Sequence, residues 1–459
     1  MKFDIKEEDL IIKPYKSEDS IYVRQQKGKF QSLRKYTGTL LMIVFVLIPW
    51  LTYQGEQAIL LNIADQQFRF FSMTFFPQDL TILAALFMVG AFTLFFITTW
   101  LGRVWCGFLC PQTVWMFMYV WVEEKIEGTR NQRIKLDQAP LSWHKTQKKL
   151  LKHSAWLAIS FFTATSFMAY FIPAKELYTG LIEFDWSAIV LSWIAFFTLC
   201  TYGNAGWLRE KMCIYMCPYS RFQSAMFDKN TLLIAYDTIR GESRGRRKRN
   251  EDPKQRALGD CVDCNLCVQV CPAGIDIRNG LQYECISCGA CIDACDQTMS
   301  QFNYPKGLIS FTSENALAGT KVKTLRPKIL SYGVITLIMF ILMGYFVSSR
   351  ALVEASILRD RNVLYRANFD GSIENSYQLK LTNKMQTTES FILHIADHEH
   401  VKFSIDGAIT AQKLEMKIIP FTLTIAPDYI TERVSSFELV ISNPHDEVLA
   451  TKPIRFYSN

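Results

Sequence analysis

Eight of the thirteen cysteines fall between Cys261 and Cys295, in two runs of identical spacing. The first is Cys261-x2-Cys264-x2-Cys267-x3-Cys271-Pro272 and the second is Cys285-x2-Cys288-x2-Cys291-x3-Cys295. Closely spaced thiolates on a tight loop grip three corners of an iron-sulfur cubane, and the fourth cysteine of each run reaches the other cluster. On that rule Cys261, Cys264, Cys267 and Cys295 hold one 4Fe-4S cluster, and Cys271, Cys285, Cys288 and Cys291 hold a second. Structural zinc also accepts four thiolates, but two such runs in succession match the iron-sulfur pattern more closely. Asp296 rather than proline follows Cys295, a departure that affects the turn and the potential and leaves all eight ligands in place. The expected chemistry is one-electron transfer.

A second cysteine pattern is an internal echo. The segment from Leu101 to Pro111 contains Cys106-x3-Cys110-Pro111, and the segment from Trp207 to Pro218 contains Cys213-x3-Cys217-Pro218. If helical, cysteines four apart share a face with Cβ atoms ~5–6 Å apart, wider than the ~3.5–4.5 Å of a disulfide. A shared soft metal or an open dithiol fits that spacing better. Brought together by the repeat, Cys106, Cys110, Cys213 and Cys217 suit Cu(I), which thiolates and thioethers favour, and Met212 and Met216 interleave with the second pair. An additional iron-sulfur centre is the other metal reading, and buried small hydrophobes are the bland one. Cys200, in an apolar stretch, reads as packing. His394, His398 and His400 lie late in the chain; the last two share a strand face, which is a copper-collecting pair or an ordinary solvated strand.

Elements that position these residues follow from the apolar runs. A membrane helix needs about 20 mostly apolar residues to cross ~30 Å of hydrocarbon. Five stretches approach that: Tyr36 to Leu51, Leu80 to Leu101, Ser154 to Ile172, Trp186 to Trp207 and Ile329 to Val347. The shorter apolar segment Gln112 to Val122 reads as interfacial or re-entrant. Each C-x3-C-P motif then sits at the end of a span, which suggests a parallel repeat of two-helix units about a membrane-normal axis with the motifs at the repeat interface.

Lys and Arg accumulate on the cytoplasmic side of such proteins. Lys2, Lys6, Lys13, Lys16, Arg24 and their neighbours precede the first span, while Arg69 stands alone in the next loop. Lys145, Lys148, Lys149 and Lys152 follow the second span, and Arg244, Arg246, Arg247, Lys248 and Arg249 follow the fourth. This alternation puts the N-terminus and the cysteine-rich insert in the cytoplasm and everything after about Ser348 across the membrane. The N-terminal stretch has no apolar core, so no cleaved leader is expected and the first span serves as its own insertion signal.

From Val363 onward the pattern changes to period 2, as in SYQLKLTN, SFILHI, FTLTI and SFELVIS, with turns at Asp370-Gly371 and Asn443-Pro444. Roughly seven short strands suggest an immunoglobulin-like sandwich. The fold class is therefore mixed: an α-helical integral membrane protein of about five transmembrane helices, a ferredoxin-like insert and a C-terminal all-β domain. Expected boundaries are a cytoplasmic segment 1–35, a four-helix membrane domain 36–235, the insert 236–327, a fifth span 328–348 and a periplasmic domain 349–459. The net charge of +7 comes from basic residues between apolar spans and not from a nucleic-acid module. The bilayer is the expected partner and nucleic acid is not. The basic run Arg244 to Arg249 suits anionic headgroups or an acidic electron donor.

Taken together, these residues resemble the FixG/CcoG family of accessory proteins of cbb-type cytochrome c oxidase. The likeness rests on GRVWCGFLCPQTVW, NAGWLREKMCIYMCPYSRFQSAMFDK, RGESRGRR, the eight-cysteine insert and NSYQLKLTNK. The membrane part alone is also similar to the quinol-dehydrogenase subunit NapH; the outer domain favours FixG/CcoG. The resemblance implies an inner-membrane oxidoreductase that reduces Cu(II) to Cu(I) for oxidase assembly. It further implies a cytoplasmic electron donor, copper-handling or oxidase partners, and Cys106, Cys110, Cys213 and Cys217 as the copper or redox site. Quinol oxidation and a copper-binding scaffold without turnover are the alternatives.

Overall fold

The computed structural model describes residues 21–249, 251, 256–282, 284–360, 363–396, 400–405, 407–430 and 432–458. Lys2, Lys6, Lys13, Lys16 and His398 lie outside the described residues. The chain forms two compact units, one of residues 1–51 and 85–340 and the other of residues 52–84 and 341–459.

Long helices occupy all five expected stretches: α1 (Lys29–Leu47), α2 (Leu80–Leu101), α5 (Trp143–Met168), α7 (Ala188–Tyr202) and the helix Pro327–Ser348. Between them lie α3 (Pro111–Glu127), α4 (Arg130–Gln138) and α6 (Ala174–Glu183), and α8 (Pro218–Met226) follows α7. Among the described residues four segments are long and apolar enough to cross a membrane: Lys29–Trp50, Pro77–Leu101, Ala188–Leu208 and Pro327–Ser348. They leave large apolar side chains such as Leu40, Phe87, Phe196 and Ile341 exposed, as lipid-facing helices do. α5 differs because its first three turns carry Lys145, Lys148, Lys149 and Lys152 and only the remainder, from Ser154, is apolar. The segment Gln112 to Val122, expected to be interfacial or re-entrant, lies inside the continuous helix α3. Its Tyr119 is fully buried against Trp156 of α5, stacked at 5.2 Å and hydrogen-bonded to the Trp156 carbonyl.

α1 and α5 keep company at their far ends, where the Tyr170 hydroxyl donates to the Phe45 carbonyl at 2.7 Å and Trp50 stacks on Tyr178. At the opposite end of α5, Glu123 and Glu127 of α3 are buried among Arg133, Lys149, Lys152 and Arg209. Charges taken out of water need such partners, and this network fastens α3, α4, α5 and the segment after α7 to one another.

The insert has a two-stranded antiparallel sheet, Leu233–Tyr236 with Ile309–Thr312, and the helix Ala290–Gln301. Its core is small and built around the ligand loops: Ile234, Ile277, Ile292, Met299 and Leu308 pack with Cys261 and Cys267.

The second unit contains the immunoglobulin-like sandwich, two antiparallel sheets of five and four strands. One runs Val401–Phe403, Met416–Ile425, Ile373–Asn383, Val353–Arg359, with Arg366–Ala367 beside Ile373–Asn383. The other runs Ala408–Ala411, Glu389–Ile395, Val434–Ser442, Val448–Tyr457. Alternate residues Tyr377, Leu379 and Leu381 meet Phe391, Leu439, Ile441 and Phe456 in the core. The Tyr377 hydroxyl crosses to the Arg455 carbonyl of the other sheet at 2.8 Å. The sandwich begins earlier than Val363, because the strand Val353–Arg359 follows closely on the last helix.

This unit also takes in residues 52–84, where Ile59–Asn62, Gln67–Phe70 and Met73–Phe75 form a three-stranded sheet. Asp79 is the anchor. Its carboxylate accepts from Lys384 at 2.8 Å and pairs with Arg350 at 2.9 Å, and Lys384 also pairs with Glu354. The Lys384 side chain is 3% exposed, so Asp79→Ala leaves a buried cation short of a partner and costs about 3–5 kcal/mol. A thermal melt of the detergent-solubilised chain should show a lowered midpoint, partly recovered in the double variant with Lys384→Met.

Candidate metal centres

Each set of four cysteines in the insert surrounds its own cavity. Cys261, Cys264, Cys267 and Cys295 line one, with Val262, Thr298 and Leu308. Cys271, Cys285, Cys288 and Cys291 line the other, with Ile275, Ile286 and Cys267 at its edge. The fourth cysteine of each run is thus folded back onto the three of the other. The Cys295 sulfur feels Cys267, Cys261 and Cys264, and Cys271 feels Cys288 and Cys285. Burial pushes the thiol of Cys267 up to about 11 and that of Cys295 to about 12, and raises Cys271, Cys285 and Cys291 as well. Binding a metal at these thiols displaces their protons. Backbone N–H groups of Ala273 and Ile275 point at the Cys271 sulfur and that of Ser287 at Cys285, the kind of hydrogen bond that tunes a cluster. Among the described residues no three His, Cys, Asp or Glu side chains gather as tightly as a single metal ion requires. Four thiols around each of two cavities, with the fourth of each run shared across to the other, fit a pair of multi-iron clusters better than zinc.

The two C-x3-C-P motifs adopt one local structure. A π-helical turn covers Trp105–Leu109 and another covers Met212–Met216, closed by Cys110 N donating to Trp105 O at 2.8 Å and Cys217 N to Met212 O at 2.9 Å. Each second cysteine is extended, with ψ of 126° and 113°, because proline bars the helical conformation from the residue before it. Pro111 and Pro218 then open α3 and α8, where a missing N–H costs nothing. The two cysteines of a motif therefore do not share a helical face, contrary to the spacing argument. Thr113 and Ser220, two residues past each proline, both donate a hydroxyl to the carbonyl of the first cysteine, Cys106 and Cys213. That Thr/Ser match extends the sequence echo beyond the cysteines and prolines.

All four motif cysteines come together. Cys213 feels Cys110 first among the thiols, then Cys106 and Cys217; Cys106 feels Cys110 and Cys217. Burial pushes Cys106 up to about 11 and Cys213 to about 12. The amide of Gln223, fully buried on α8, reaches the Cys106 sulfur at 3.5 Å, a neighbour that spacing alone did not flag. Met212 and Met216 belong to the second turn, and Met216 is exposed.

The second cysteine loop of the insert rests directly on the first motif. A Cβ added to Gly107 would stand 2.7 Å from the Ser287 carbonyl oxygen and 3.0 Å from that of Ile286, so main chain meets main chain there. Arg103, 4% exposed, donates to the Cys285 carbonyl at 3.0 Å and to the Ser220 carbonyl at 3.3 Å, joining the loop to both motifs. Cys106, Met116 and Phe117 pack with Val270, Ile286, Cys288 and Ala290. On the other side Asp293 accepts the N–H groups of Phe30 and Gln31 at the start of α1, where a carboxylate is favoured by the helix dipole.

Cys200 sits within α7, half-buried. His394 lies on the strand Glu389–Ile395, and His400 stacks on Tyr429 at 3.8 Å. The copper-collecting pair of His398 and His400 cannot be placed, since His398 is outside the described residues.

Residues 208–314 match the family described as a 4Fe-4S dicluster domain, and residues 343–459 match the family described as an IG-like fold at the C-terminal of FixG. The chain is 34% identical over 456 residues to the nitrogen fixation protein FixG of Rhizobium meliloti strain 1021, covering 91% of this chain and 86% of that one. It is 37% identical over 416 residues to protein RdxA of Cereibacter sphaeroides, covering 86% of each. A crystal structure of a FixG-related protein from Vibrio parahaemolyticus aligns with 24% of this chain and 97% of its own at 24% identity and a TM-score of 0.22.

Because Gly107 meets a carbonyl, Gly107→Ala must move the Cys285–Cys288 loop. Electron paramagnetic resonance of the reduced protein should show one of the two cluster signals altered and the other retained. Gly90→Ala, with nothing within 4 Å of its added carbon, should change neither.

Proposed function

This chain belongs to the FixG family, and on that premise we propose that it reduces Cu(II) to Cu(I) at the paired C-x3-C-P motifs for the assembly of a cbb-type cytochrome c oxidase. The chain is a membrane iron-sulfur electron-transfer protein; copper is its substrate in this reading. The observation that carries it is the seating of the Cys285–Cys288 loop on the first motif, main chain to main chain at Gly107, which leaves a short way from one cluster site to the four gathered thiols.

In this reading Cys261, Cys264, Cys267 and Cys295 hold one cluster and Cys271, Cys285, Cys288 and Cys291 the other. When bound, the clusters supply single electrons, and Cu(II) takes one to become Cu(I). Cys106, Cys110, Cys213 and Cys217 receive the ion. Thiolates are soft ligands that favour the reduced state over the oxidised one, so capture and reduction reinforce each other. Gln223 holds the Cys106 sulfur, and Arg103 fixes the second motif to the insert.

The topology accompanying this reading has the N-terminus and the insert in the cytoplasm of a bacterial inner membrane and the sandwich in the periplasm, as the alternation of Lys and Arg supports. α5 completes a fifth crossing; its end beside the end of α1 supports it. A cytoplasmic reductant loads the clusters, and copper-handling proteins or oxidase subunits receive the product.

The double variant Cys213→Ser, Cys217→Ser is expected to retain the iron-sulfur absorbance and to lose Cu(I) production. Anaerobic mixing of dithionite-reduced protein with Cu(II) and a Cu(I)-specific chelator reads both at once. Undiminished Cu(I) formation by that variant would remove the four cysteines from the reaction.

A further inference from the structure

Of the eight cluster cysteines Cys264 alone is exposed; the others are buried or half-buried. It shares its cavity with Cys261, Cys267 and Cys295, and the lining there belongs to the insert throughout. The other set of four meets the motifs, through the Cys285–Cys288 loop at Gly107. Cys267 lines both cavities. The two cluster sites therefore stand in series, with solvent at the Cys264 end and the motifs at the Cys285 end.

The basic run Arg244 to Arg249 is pinned beside the solvent end. Gly245 donates its N–H to the Cys261 carbonyl at 3.4 Å. Arg247 Nε donates to the Tyr304 hydroxyl at 3.1 Å, and its guanidinium lies 5.2 Å from the centre of that ring. Tyr304 in turn packs on the core that holds Cys261 and Cys267. Nearby acids are engaged already: Glu242 by Arg244, Asp260 by Arg240 and Asp263 by Arg278. Arg246, Lys248 and Arg249 are exposed and carry positive charge in excess of these pairs. The placement also chooses between the two partners that suit a basic run. Lipid headgroups lie where the membrane helices end, and the insert meets those helix ends with the Cys285–Cys288 loop, whereas the run follows the loop of the first cysteine run.

We propose that the exposed Cys264 end, with Arg246, Lys248 and Arg249, is the docking surface for an acidic single-electron carrier protein, and that electrons enter the chain at the cluster of Cys261, Cys264, Cys267 and Cys295. Each encounter oxidises the carrier by one electron and reduces that cluster by one; no bond is made or broken and no proton moves. Opposite charge on the two faces speeds the encounter and orients the carrier. An exposed ligand leaves little protein between donor and acceptor.

This inference rests on the electron-transfer reading of the insert and is independent of what the motifs reduce. The test uses the purified full chain with its clusters, in nanodiscs of phosphatidylcholine, and a plant-type 2Fe-2S ferredoxin as the acidic carrier. Binding of the oxidised ferredoxin is titrated by calorimetry, cluster reduction by the reduced form is followed by stopped-flow absorbance, and carbodiimide cross-links to lysines are located by mass spectrometry. The triple variant Arg246→Glu, Lys248→Glu, Arg249→Glu should weaken binding and slow reduction about tenfold or more, with cluster resonance and reduction by dithionite unchanged. Lys321→Glu with Lys323→Glu, a reversal at exposed lysines before the last span, should alter binding by no more than about twofold. Cross-links in the parent chain should fall on Lys248. The proposal is overturned by ferredoxin that does not bind saturably, by binding indifferent to the triple variant, or by cross-links confined to Lys321 and Lys323. Lys248 shielded from acetylation by phosphatidylglycerol in the nanodisc, with no ferredoxin present, would give the run to headgroups and overturn it as well. Dithionite-driven Cu(II) reduction that persists through such a failure leaves the proposed function standing. Ferredoxin binding intact in a chain that makes no Cu(I) removes that function and supports this surface.

Discussion

The placement of the insert on the helix ends depends on main-chain contacts. Gly107 admits the carbonyls of Ile286 and Ser287 where any side chain would hold them off, and Arg103 ties the Cys285 carbonyl to that of Ser220. The start of α1 completes the clasp, since Asp293 accepts two of its free N–H groups and Gly28 lets that carboxylate approach. Backbone carbonyls and helix-end amides have fixed positions, so the distance from the Cys285–Cys288 loop to the first motif is set by geometry more than by side-chain packing. A buried polar group without a partner costs on the order of 1–3 kcal/mol, which gives the clasp one satisfied arrangement.

The same economy of means shapes the two motifs. In each, a π-helical turn ends in an extended cysteine, proline starts the next helix, and a Thr or Ser hydroxyl returns to the first cysteine's carbonyl. Two copies of one local structure meet, so thiols that diverge within a motif converge between motifs. π-turns recur at functional sites because they free backbone from the regular ladder. Here that freedom is held in check from outside: Arg209, just before the second motif, reaches Glu123 of α3, and Gln112 donates to the Asn204 carbonyl.

Much of this was legible from spacing. Cluster ligands are read from short-range pattern because three of four lie on one loop, and membrane helices because the bilayer demands length and apolarity. The sandwich showed through alternation, as in Ile373–Asn383, whose odd-numbered residues are buried almost throughout. What escaped was whatever depends on distant partners. Gln112 to Val122 reads as interfacial or re-entrant because the charged turns that complete α3, with Glu123 and Glu127, are buried against distant partners, Arg133, Lys149, Lys152 and Arg209. The strand Val353–Arg359 was missed since its exposed and buried positions are both partly apolar, and residues 52–84 joined the second unit through Asp79 and Lys384, more than three hundred residues apart.

Charge links these parts. Cys106 and Cys213, raised to about 11 and about 12 by burial, carry protons at neutral pH. A cation entering among them displaces protons, so the buried site gains less charge than the ion brings. A following electron adds negative charge in a place poor in water, and its cost depends on the nearest fixed cation. Arg103 is buried there and acts on Cys106. In the proposed reaction the guanidinium that holds the cluster loop against the motifs also favours the reduced, thiolate-bound ion, and a change at position 103 cannot alter the contact without altering that charge.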